Sequence, residues 1–373
     1  MGSFSVVYRF RFLLIAFIFL PAYLSAQPGI MNFENLLTTP KGYIAHHINT
    51  APVIDGNLDD VEWQHATWTD DFTDIESSSK PAPPLKTNFK ILWDDSCLYV
   101  AARIEEPNLW ATLTHRDNVV FLDNDVELFI NPNGTTHQYF EIECNALNTI
   151  FDLFLNKPYR NGGRPMSSWN TPGMRTAVKL QGTLNDPSDT DKGWTLEMAI
   201  PFKALSLGNR TQVPKEGTIW RVNFSRVEWD TKVTHGTYEK LKDDKGQNLP
   251  EHNWVWSPQG LINMHYPERW GYVSFTKKDD TVRAFIPSYS ETQKRFLWLL
   301  YYRQMAWQKN HGRYAVSLKE LGMNGNVTAE GKQNVLSLEA TPHQFMAFIR
   351  LKNDHIVYSI NQEGLIDAEE ILN

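Results

Sequence analysis

Cysteine is scarce in this sequence, with 2 residues among 373. So few cysteines exclude a disulfide framework and a thiolate metal cluster. Dense runs of lysine and arginine are also lacking, and the formal net charge is -7. A nucleic-acid partner is therefore not expected, because its binding needs basic side chains that neutralise phosphates. The chain does not have the aromatic-poor composition of disordered proteins, since 42% of its residues are hydrophobic and 13% aromatic. We expect an ordered protein of about two domains.

Hydrophobic runs long enough to suggest a membrane segment are limited to the amino terminus. Residues 12–20 are apolar but too few to span a bilayer. Two arginines precede this run and small residues follow it, a pattern typical of a secretory signal. We predict a signal peptide at 1–26, a linker at 27–45, and a secreted, periplasmic or cell-envelope protein with no membrane span after cleavage. An uncleaved membrane anchor is the alternative.

The middle of the chain has the pattern of a β protein. Short runs of alternating or β-branched residues are bounded by Gly, Pro, Asn and Asp, and no amphipathic helix separates them. The predicted strands are 88–93, 97–104, 125–130, 139–144, 149–155, 175–180, 194–200, 220–226 and 270–275. Their spacing favours an antiparallel β-sandwich or barrel.

The pattern changes toward the carboxyl end. Ser290 followed by Gln293 forms a capping-box signature, and residues 291–309 carry apolar side chains at helical spacing. A second, shorter helix is predicted at 318–321. Strands are predicted at 335–340, 345–351 and 356–359. Residues 285–373 are therefore predicted to form a small α+β accessory domain, in which the long helix lies on an antiparallel sheet.

This carboxyl-terminal segment resembles a pilin-like or pseudopilin-like module. The resemblance rests on the long helix, a His-Gly-Arg-Tyr turn at 311–314 and the sheet that follows. The alternative is an accessory domain private to this protein that packs on the edge of the sandwich.

The predicted sandwich resembles family 9 carbohydrate-binding modules. The first matching block is Ala-Pro-Val-Ile-Asp-Gly-Asn-Leu-Asp-Asp at residues 51–60, with Trp63 after it. Further blocks follow in the order of the family, at 92–101, 125–130, 193–201, 220–224 and 267–271. The resemblance assigns 46–277 to a jelly-roll-like β-sandwich. It implies sugar binding without catalysis, often with structural calcium, in partnership with polysaccharide-degrading enzymes.

The resemblance also implies individual site residues. One ring of the family's aromatic clamp corresponds to Phe121, and the glutamate that bonds a sugar hydroxyl corresponds to Glu127. The second ring falls on Met264, beside His265, and the family's arginine falls near Glu141. These departures imply either a different ligand or a pocket built from other residues.

Other candidates follow from the predicted strands. Glu141, Glu143 and Asn145 alternate along one strand and so share a sheet face, which is either solvated or lines a groove. Trp254 and Trp256 project in one direction from an extended segment and can stack on the apolar face of a sugar.

Two polar residues complete the prediction. Arg226, with Glu228 close behind it, can bind a ligand or pair with Glu127 across strands, and His265 is either a structural or a ligand-binding residue. The predicted ligand-binding set is Phe121, Glu127, Glu141, Glu143, Asn145, Arg226, Trp254, Trp256 and His265.

A metal site and a disulfide are two further expectations. Aspartates within 55–60 are expected to form a turn, and calcium there or at 123–125 is a candidate because hard cations take oxygen ligands. Cys97 and Cys144 lie in two predicted strands, so a disulfide is a candidate if those strands are neighbours.

We predict a secreted protein that binds polysaccharide or oligosaccharide without catalysis and supports glycan breakdown. A glycoside hydrolase is one alternative, because the carboxylates within 123–127 and 141–143 could supply an acid and a base. A structural or assembly protein of the cell envelope is another. A haem-binding module is disfavoured, since the adjacent Met264 and His265 point to opposite sides of an extended chain.

Overall fold

The computed structural model describes residues 38–208, 210–278 and 284–370, which all fall within one structural unit, Phe33–Asn373. The predicted signal peptide at 1–26 and most of the predicted linker lie outside the described residues. The strands of the amino-terminal two thirds are β1 (Gly42–His47), β2 (Thr73–Asp74), β3 (Thr87–Trp93), β4 (Cys97–Glu105), β5 (Asp125–Asn131), β6 (Tyr139–Asn145), β7 (Ile150–Leu155), β8 (Pro165–Met166), β9 (Arg175–Gln181), β10 (Gly193–Pro201), β11 (Ile219–Glu228), β12 (Thr231–Thr234), β13 (Thr237–Lys240), β14 (His252–Val255) and β15 (Gly271–Thr276).

Most of these strands form one large curled sheet. Its order is β8-β7-β6-β5-β11-β15-β1-β3-β4-β10-β9, with β14 attached to β11 and β2 attached to β14. The hairpin β12–β13 stands apart. The predicted β-sandwich is confirmed, but the sheet is mixed, because β1 lies between β15 and β3 and runs parallel to both.

The curl encloses the main hydrophobic core. On β3, Phe89, Ile91 and Trp93 alternate with residues that face outward, and on β5 Val126 and Leu128 do the same. All five belong to one cluster, so the inner face of one half of the sheet packs against the inner face of the other. Each such buried side chain contributes about 1.5–3 kcal/mol relative to exposure.

A second apolar cluster lies on the outer face of β5, β6 and β7. It consists of Ile75, Phe129, Tyr139, Leu153, Leu155, Val255, Met264 and Trp270. The segment between β14 and β15 covers part of this face, and the Nε1 of Trp270 donates to the carbonyl oxygen of Met264 at 2.7 Å. The uncovered part of the face forms the cleft described below.

The carboxyl-terminal unit contains the helix α1 (Tyr289–His311) and a five-stranded antiparallel sheet. The strands are β16 (Asn326–Ala329), β17 (Lys332–Ala340), β18 (Phe345–Leu351), β19 (Ile356–Asn361) and β20 (Ile366–Glu370). This arrangement confirms the predicted small α+β unit. None of the helices in the described ranges is long and apolar enough to cross a membrane.

The predicted second helix at 318–321 is wrong. That segment forms a turn, in which the amide N–H groups of Leu321 and Met323 both donate to the carbonyl oxygen of Leu318. Gly322, at φ 63°, then takes the left-handed conformation that ends a helical turn, so no further turn can form.

The helix and the sandwich are joined by buried polar contacts. Glu291, in the first turn of α1, accepts from Arg221 of β11 at 2.7 Å and from the Tyr272 hydroxyl at 2.9 Å. Glu268 accepts from Arg160 at 2.9 Å and from the hydroxyl of Tyr302 on α1. The assignment of 285–373 as a separate domain stays a prediction.

Both cysteines are free thiols, so the candidate disulfide is not formed. Cys97 begins β4 and Cys144 lies on β6, and these strands are far apart in the order of the sheet. Cys97 packs on the cluster around Trp63, whereas Cys144 belongs to the main core.

Candidate functional site

The outer face of β5, β6 and β7 is the floor of a cleft of about 470 Å³. Its walls come from the segments around residues 119–121, 159–167 and 251–265. We call it the acidic cleft, after its floor residues Glu127, Glu141 and Glu143. The wall and floor also include Phe121, Phe151, Leu153, Tyr159, Asn253, Ile262 and His265.

The register of β5 and β6 brings the three glutamates together. Glu127 lies directly opposite Glu143, and Phe129 lies opposite Glu141. Because side chains alternate along a strand, all of these residues point to the outer face, while the residues between them point into the core. The predicted ladder of Glu141, Glu143 and Asn145 therefore lies on one face of the sheet.

Asp125 adds a fourth carboxylate beneath the cleft. It precedes Glu127 by two residues on β5 and shares its face. One carboxylate oxygen from each of Asp125, Glu127 and Glu143 lies within 4.8 Å of the others. Asp125 is 1% exposed and Glu127 is 6% exposed, so bulk water screens this group poorly.

Burial raises the pKa of all four carboxyl groups, and that of Glu127 rises to about 7. Repulsion from Glu127 raises the pKa of Asp125 and of Glu141 further, and Asp125 acts in the same way on Glu143. In the described part of the chain, both carboxylate oxygens of Asp125 and the Oε2 atoms of Glu127 and Glu141 are buried without a hydrogen-bond partner. The cleft floor therefore carries several buried hydrogen-bond acceptors to which no donor of the described residues is bonded.

Two aromatic rings flank this floor. Phe121 is 37% exposed and Tyr159 is 41% exposed, although both line the cleft. The backbone of Phe121 is fixed, because its N–H donates to Oε2 of Glu143 at 3.1 Å and its carbonyl accepts from Trp229 at 2.9 Å. Its ring is thus held at the rim by the same carboxylate that forms the floor.

His265 lies in the wall as a neutral side chain. Its Nδ1 is 2.9 Å from the hydroxyl of Tyr139, and its ring meets the Tyr159 ring edge-on with centroids 4.4 Å apart. Burial and, to a smaller extent, the positive charge of Arg160 together lower the pKa of His265 to about 3. The imidazole therefore supplies neutral hydrogen-bonding and apolar surface rather than charge.

Asn145 lies on the same sheet face as the glutamates, but its side chain stabilises the fold through hydrogen bonds within the protein. Its Nδ2 donates to the carbonyl oxygen of Leu113 and to Oδ2 of Asp123, and its Oδ1 accepts from two amides of the β6–β7 turn, those of Leu147 and Thr149. Its hydrogen-bonding groups are occupied within the protein.

Arg226 lies on the opposite face of the sheet from Glu127. In the register of β11 and β5, Ser225 is opposite Glu127 and Arg226 is opposite Val126. The guanidinium is 1% exposed and binds Glu106 at 2.9 Å and Glu228 at 2.8 Å. It therefore neutralises buried carboxylates on the inner side, and it reaches neither Glu127 nor the acidic cleft.

Trp254 and Trp256 do project in one direction, but that direction is inward. Trp254 pairs with Arg226 across β14 and β11, which places it on the core side of the sheet. Both rings belong to the main core, with 4% and 2% exposure. The Trp256 ring packs so closely on Gly271 that a Cβ there would lie 2.4 Å from it. Neither ring faces the acidic cleft.

Several cleft residues are missing from the predicted ligand-binding set. Phe151 lies opposite Glu143 in the β6–β7 hairpin, so pairing of the two predicted strands could have indicated it. Asp125 follows the same alternation as Glu127. Asn253 and Tyr159 come from irregular or short segments, and no periodic signal marks them.

Of the predicted calcium positions, Asp55, Asp60 and Asp123 have carboxylate oxygens engaged by the protein, whereas both oxygens of Asp125 lack a partner among the described residues. Asp123 accepts from the amides of Thr112 and Leu113, at 2.8 and 2.9 Å. Asp55 and Asp60 accept from backbone amides of their own loop, as expected for a turn. The described residues bring three metal-ligating side chains together at Asp125, Glu127 and Glu143 instead.

Comparison with known proteins identifies relatives of the sandwich. The family model described as "Carbohydrate family 9 binding domain-like" matches residues 54–277. Exoglucanase XynX of Acetivibrio thermocellus is 27% identical over 180 residues, which is 48% of this chain and 14% of that protein. Endo-1,4-beta-xylanase A of Thermoanaerobacterium saccharolyticum is also 27% identical over 180 residues, 48% of this chain and 13% of that protein. The matched part of this chain thus spans a small fraction of these relatives.

Solved structures that this chain matches include a family 9 carbohydrate-binding module from Caldicellulosiruptor kristjanssonii. Its complex with cellotriose is 18% identical, covers 66% of this chain and 100% of that chain, and gives a TM-score of 0.39. Its complex with glucose is 18% identical, covers 65% of this chain and 100% of that chain, and gives the same TM-score of 0.39.

Proposed function

Because the chain belongs to the carbohydrate family 9 binding domain-like family, we propose that the acidic cleft is where it binds carbohydrate. The observation that carries this proposal is the combination on one sheet face of buried carboxylates lacking partners and two exposed rings. A sugar offers hydroxyl donors around its rim and an apolar C–H face. The carboxyl groups of the cleft can accept from the hydroxyls, and its two exposed rings can pack against the C–H face.

Glu127, Glu141 and Glu143 would accept hydrogen bonds from sugar hydroxyls. Glu127, whose pKa is about 7, can accept as a carboxylate, and such a charge-assisted bond is stronger than a neutral one. Phe121 and Tyr159 would contact the C–H faces of the sugar from the two walls of the cleft. Asn253 supplies an amide that can donate to a ring or hydroxyl oxygen.

Binding without catalysis fits this geometry better than hydrolysis does. Glycosidases use two carboxyl groups in opposed protonation states, about 5–10 Å apart. Here burial raises the pKa of all four carboxyl groups, so none is held apart as the ionised partner.

We further propose that the protein is secreted and supports polysaccharide breakdown alongside degrading enzymes. The signal-like segment at 1–26 supports secretion. The relatives' names, an exoglucanase and endo-1,4-beta-xylanases, support a β-1,4-linked polysaccharide as ligand.

A glycan array followed by calorimetric titration of xylo- and cello-oligosaccharides tests this function. We expect binding to wild type, a large loss in Glu127→Gln, and no loss in the exposed control Asp59→Asn. Reducing-sugar release should be absent. Turnover that Glu127→Gln abolishes would favour the glycoside hydrolase, and a complete lack of glycan binding at millimolar concentration would favour an assembly role.

A further inference from the structure

The group of Asp125, Glu127 and Glu143 has a property that sugar recognition alone does not explain. Asp125 lies below the surface that lines the cleft and is 1% exposed, yet both of its carboxylate oxygens are without a hydrogen-bond partner among the described residues. A sugar hydroxyl above the floor would reach Glu127 and Glu143 first. A buried acceptor with no donor destabilises the folded state, and a charged acceptor does so more strongly.

No basic side chain of the described protein neutralises this group. Arg226, on the neighbouring strand β11, points to the opposite face, where Glu106 and Glu228 bind it. Three carboxylates at this spacing would repel one another strongly in a poorly screened environment. Their charge must therefore be removed by protons or offset by a cation that the protein acquires.

The ligand atoms of this group favour one kind of cation. One carboxylate oxygen from each of Asp125, Glu127 and Glu143 lies within 4.8 Å of the other two, close enough for the three to turn toward a shared ion. Ca²⁺ takes carboxylate oxygens at about 2.3–2.6 Å in a flexible geometry, so small adjustments of these side chains suffice. The set contains only oxygen ligands, whereas sites for Zn²⁺ are built mainly from nitrogen and sulfur.

We infer that Asp125, Glu127 and Glu143 bind a divalent cation, Ca²⁺ by its chemistry, at the floor of the acidic cleft. Two further buried oxygens without partners lie nearby: Ser225 Oγ, opposite Glu127 on β11, and Glu141 Oε2, two residues before Glu143 on β6. Ca²⁺ takes six to eight oxygens, so its open side toward the cleft would keep positions for water or another ligand.

A cation at this site would also take part in binding the sugar in the acidic cleft. Sugar hydroxyls can complete the coordination of a Ca²⁺ ion whose remaining ligands are fixed carboxylates. This step rests on the proposed function, and it makes oligosaccharide binding depend on calcium. The cation would also relieve the repulsion beneath the sheet, so calcium should stabilise the fold even when no sugar is present.

The direct test is calorimetric titration of calcium into purified protein stripped with EDTA, without sugar. We expect the calcium stoichiometry of wild type to fall by one, or the affinity of one site to fall at least 10-fold, in both Asp125→Asn and Glu143→Gln. The matched control is Asp244→Asn, an exposed aspartate outside the cleft and outside both predicted calcium positions, which should leave that site intact. Unchanged calcium binding in both cleft variants would overturn the inference and leave a protonated cluster as the explanation.

A second measurement does not depend on variants. The Tm of wild type should rise by several degrees when EDTA is replaced by excess calcium, and no rise would contradict the site. Xylo- and cello-oligosaccharide titrations in calcium and in EDTA then separate the two proposals. At least a 10-fold loss of sugar affinity in EDTA supports the link, and equal affinity in both overturns it. No sugar binding in either condition, with calcium binding retained, would refute the proposed function and leave the cation site standing.

Discussion

Glu127 and Glu143 lie directly opposite each other on β5 and β6, with both carboxyl groups buried. Like charges at opposed positions destabilise a sheet, and no basic side chain of the described residues pairs with either one. The pair therefore weakens the fold unless a cation, a proton or a ligand hydroxyl interacts with it. This relationship is the physical reason for placing the binding site on this face.

Removing one charge of the pair should help the fold when no cation is available. We expect Glu143→Gln to raise the free energy of unfolding in EDTA at alkaline pH by up to about 1 kcal/mol, because it removes a like-charge contact that forms once both carboxyl groups have lost their protons. Urea unfolding measures this change. The control Glu239→Gln replaces an exposed glutamate on β13 and should change stability little. A clear loss of stability in Glu143→Gln under chelation would show that the pair supports the fold instead.

The exposed rings of the cleft should contribute to affinity and not to stability. We expect Phe121→Ala and Tyr159→Ala each to weaken oligosaccharide binding about 10-fold, or about 1.4 kcal/mol, since each removes a contact with the sugar's C–H face. Calorimetric titration gives the affinity, and thermal unfolding checks the fold.

Val233→Ala is the matched control for the ring variants. Val233 is an exposed apolar residue on the β12–β13 hairpin, outside the cleft. Its truncation should leave affinity unchanged. If both ring variants bound oligosaccharide with wild-type affinity, stacking of the sugar between Phe121 and Tyr159 would be excluded.

The core tryptophans should behave in the opposite way. Trp256→Ala removes a ring that packs against Gly271, Tyr43 and Phe224, so we expect a loss of about 3–5 kcal/mol in the free energy of unfolding. Sugar affinity, measured well below the Tm, should stay close to wild type. A variant that keeps its stability but loses sugar binding would place this ring in the ligand site.

The contact between the helix and the sandwich gives a pH-dependent prediction. Burial alone would raise the pKa of Glu291, but the charges of Arg221 and Lys294 outweigh it and lower the pKa to about 2. An unfolded glutamate has a pKa of about 4.3. The unfolded chain therefore takes up the proton first, so the stabilisation is complete above about pH 4.3 and is lost as the pH falls toward 2.

We accordingly expect Glu291→Gln to lower the free energy of unfolding by up to about 3 kcal/mol at neutral pH, with a difference that shrinks steadily in acid. Urea unfolding of both proteins across that range measures it. Glu339→Gln, an exposed glutamate of β17, is the control and should show no such dependence. A difference that stays the same at every pH would mean that packing, not charge, links the helix to the sandwich.

The sequence carries enough information for the strands of the floor because their alternation is regular. Glu141 and Glu143 separate apolar residues that fill the core, so their common face could be predicted without the structure. The helix α1 was predictable in the same way, from apolar spacing over many turns. In both cases a local pattern determines the local structure.

The same alternation does not show which of a strand's two faces turns toward the core, because that depends on how the strand pairs with its neighbours. Arg226 and Glu127 lie on neighbouring strands, but a register that sets Ser225 opposite Glu127 turns Arg226 to the other side. Trp254, on β14, pairs with Arg226 of β11 and therefore also faces inward. Tyr159 reaches the cleft from an irregular segment, whose path depends on long-range packing rather than on nearby residues.

A crystal structure of the protein grown in calcium with a bound xylo- or cello-oligosaccharide would locate the ligand. We expect the sugar between Phe121 and Tyr159, with hydroxyls directed at the carboxyl groups of Glu127 and Glu143. A sugar bound instead in a second groove, of about 840 Å³ and lined by Trp110 and Trp229, with the acidic cleft free of ligand, would contradict the proposed binding site.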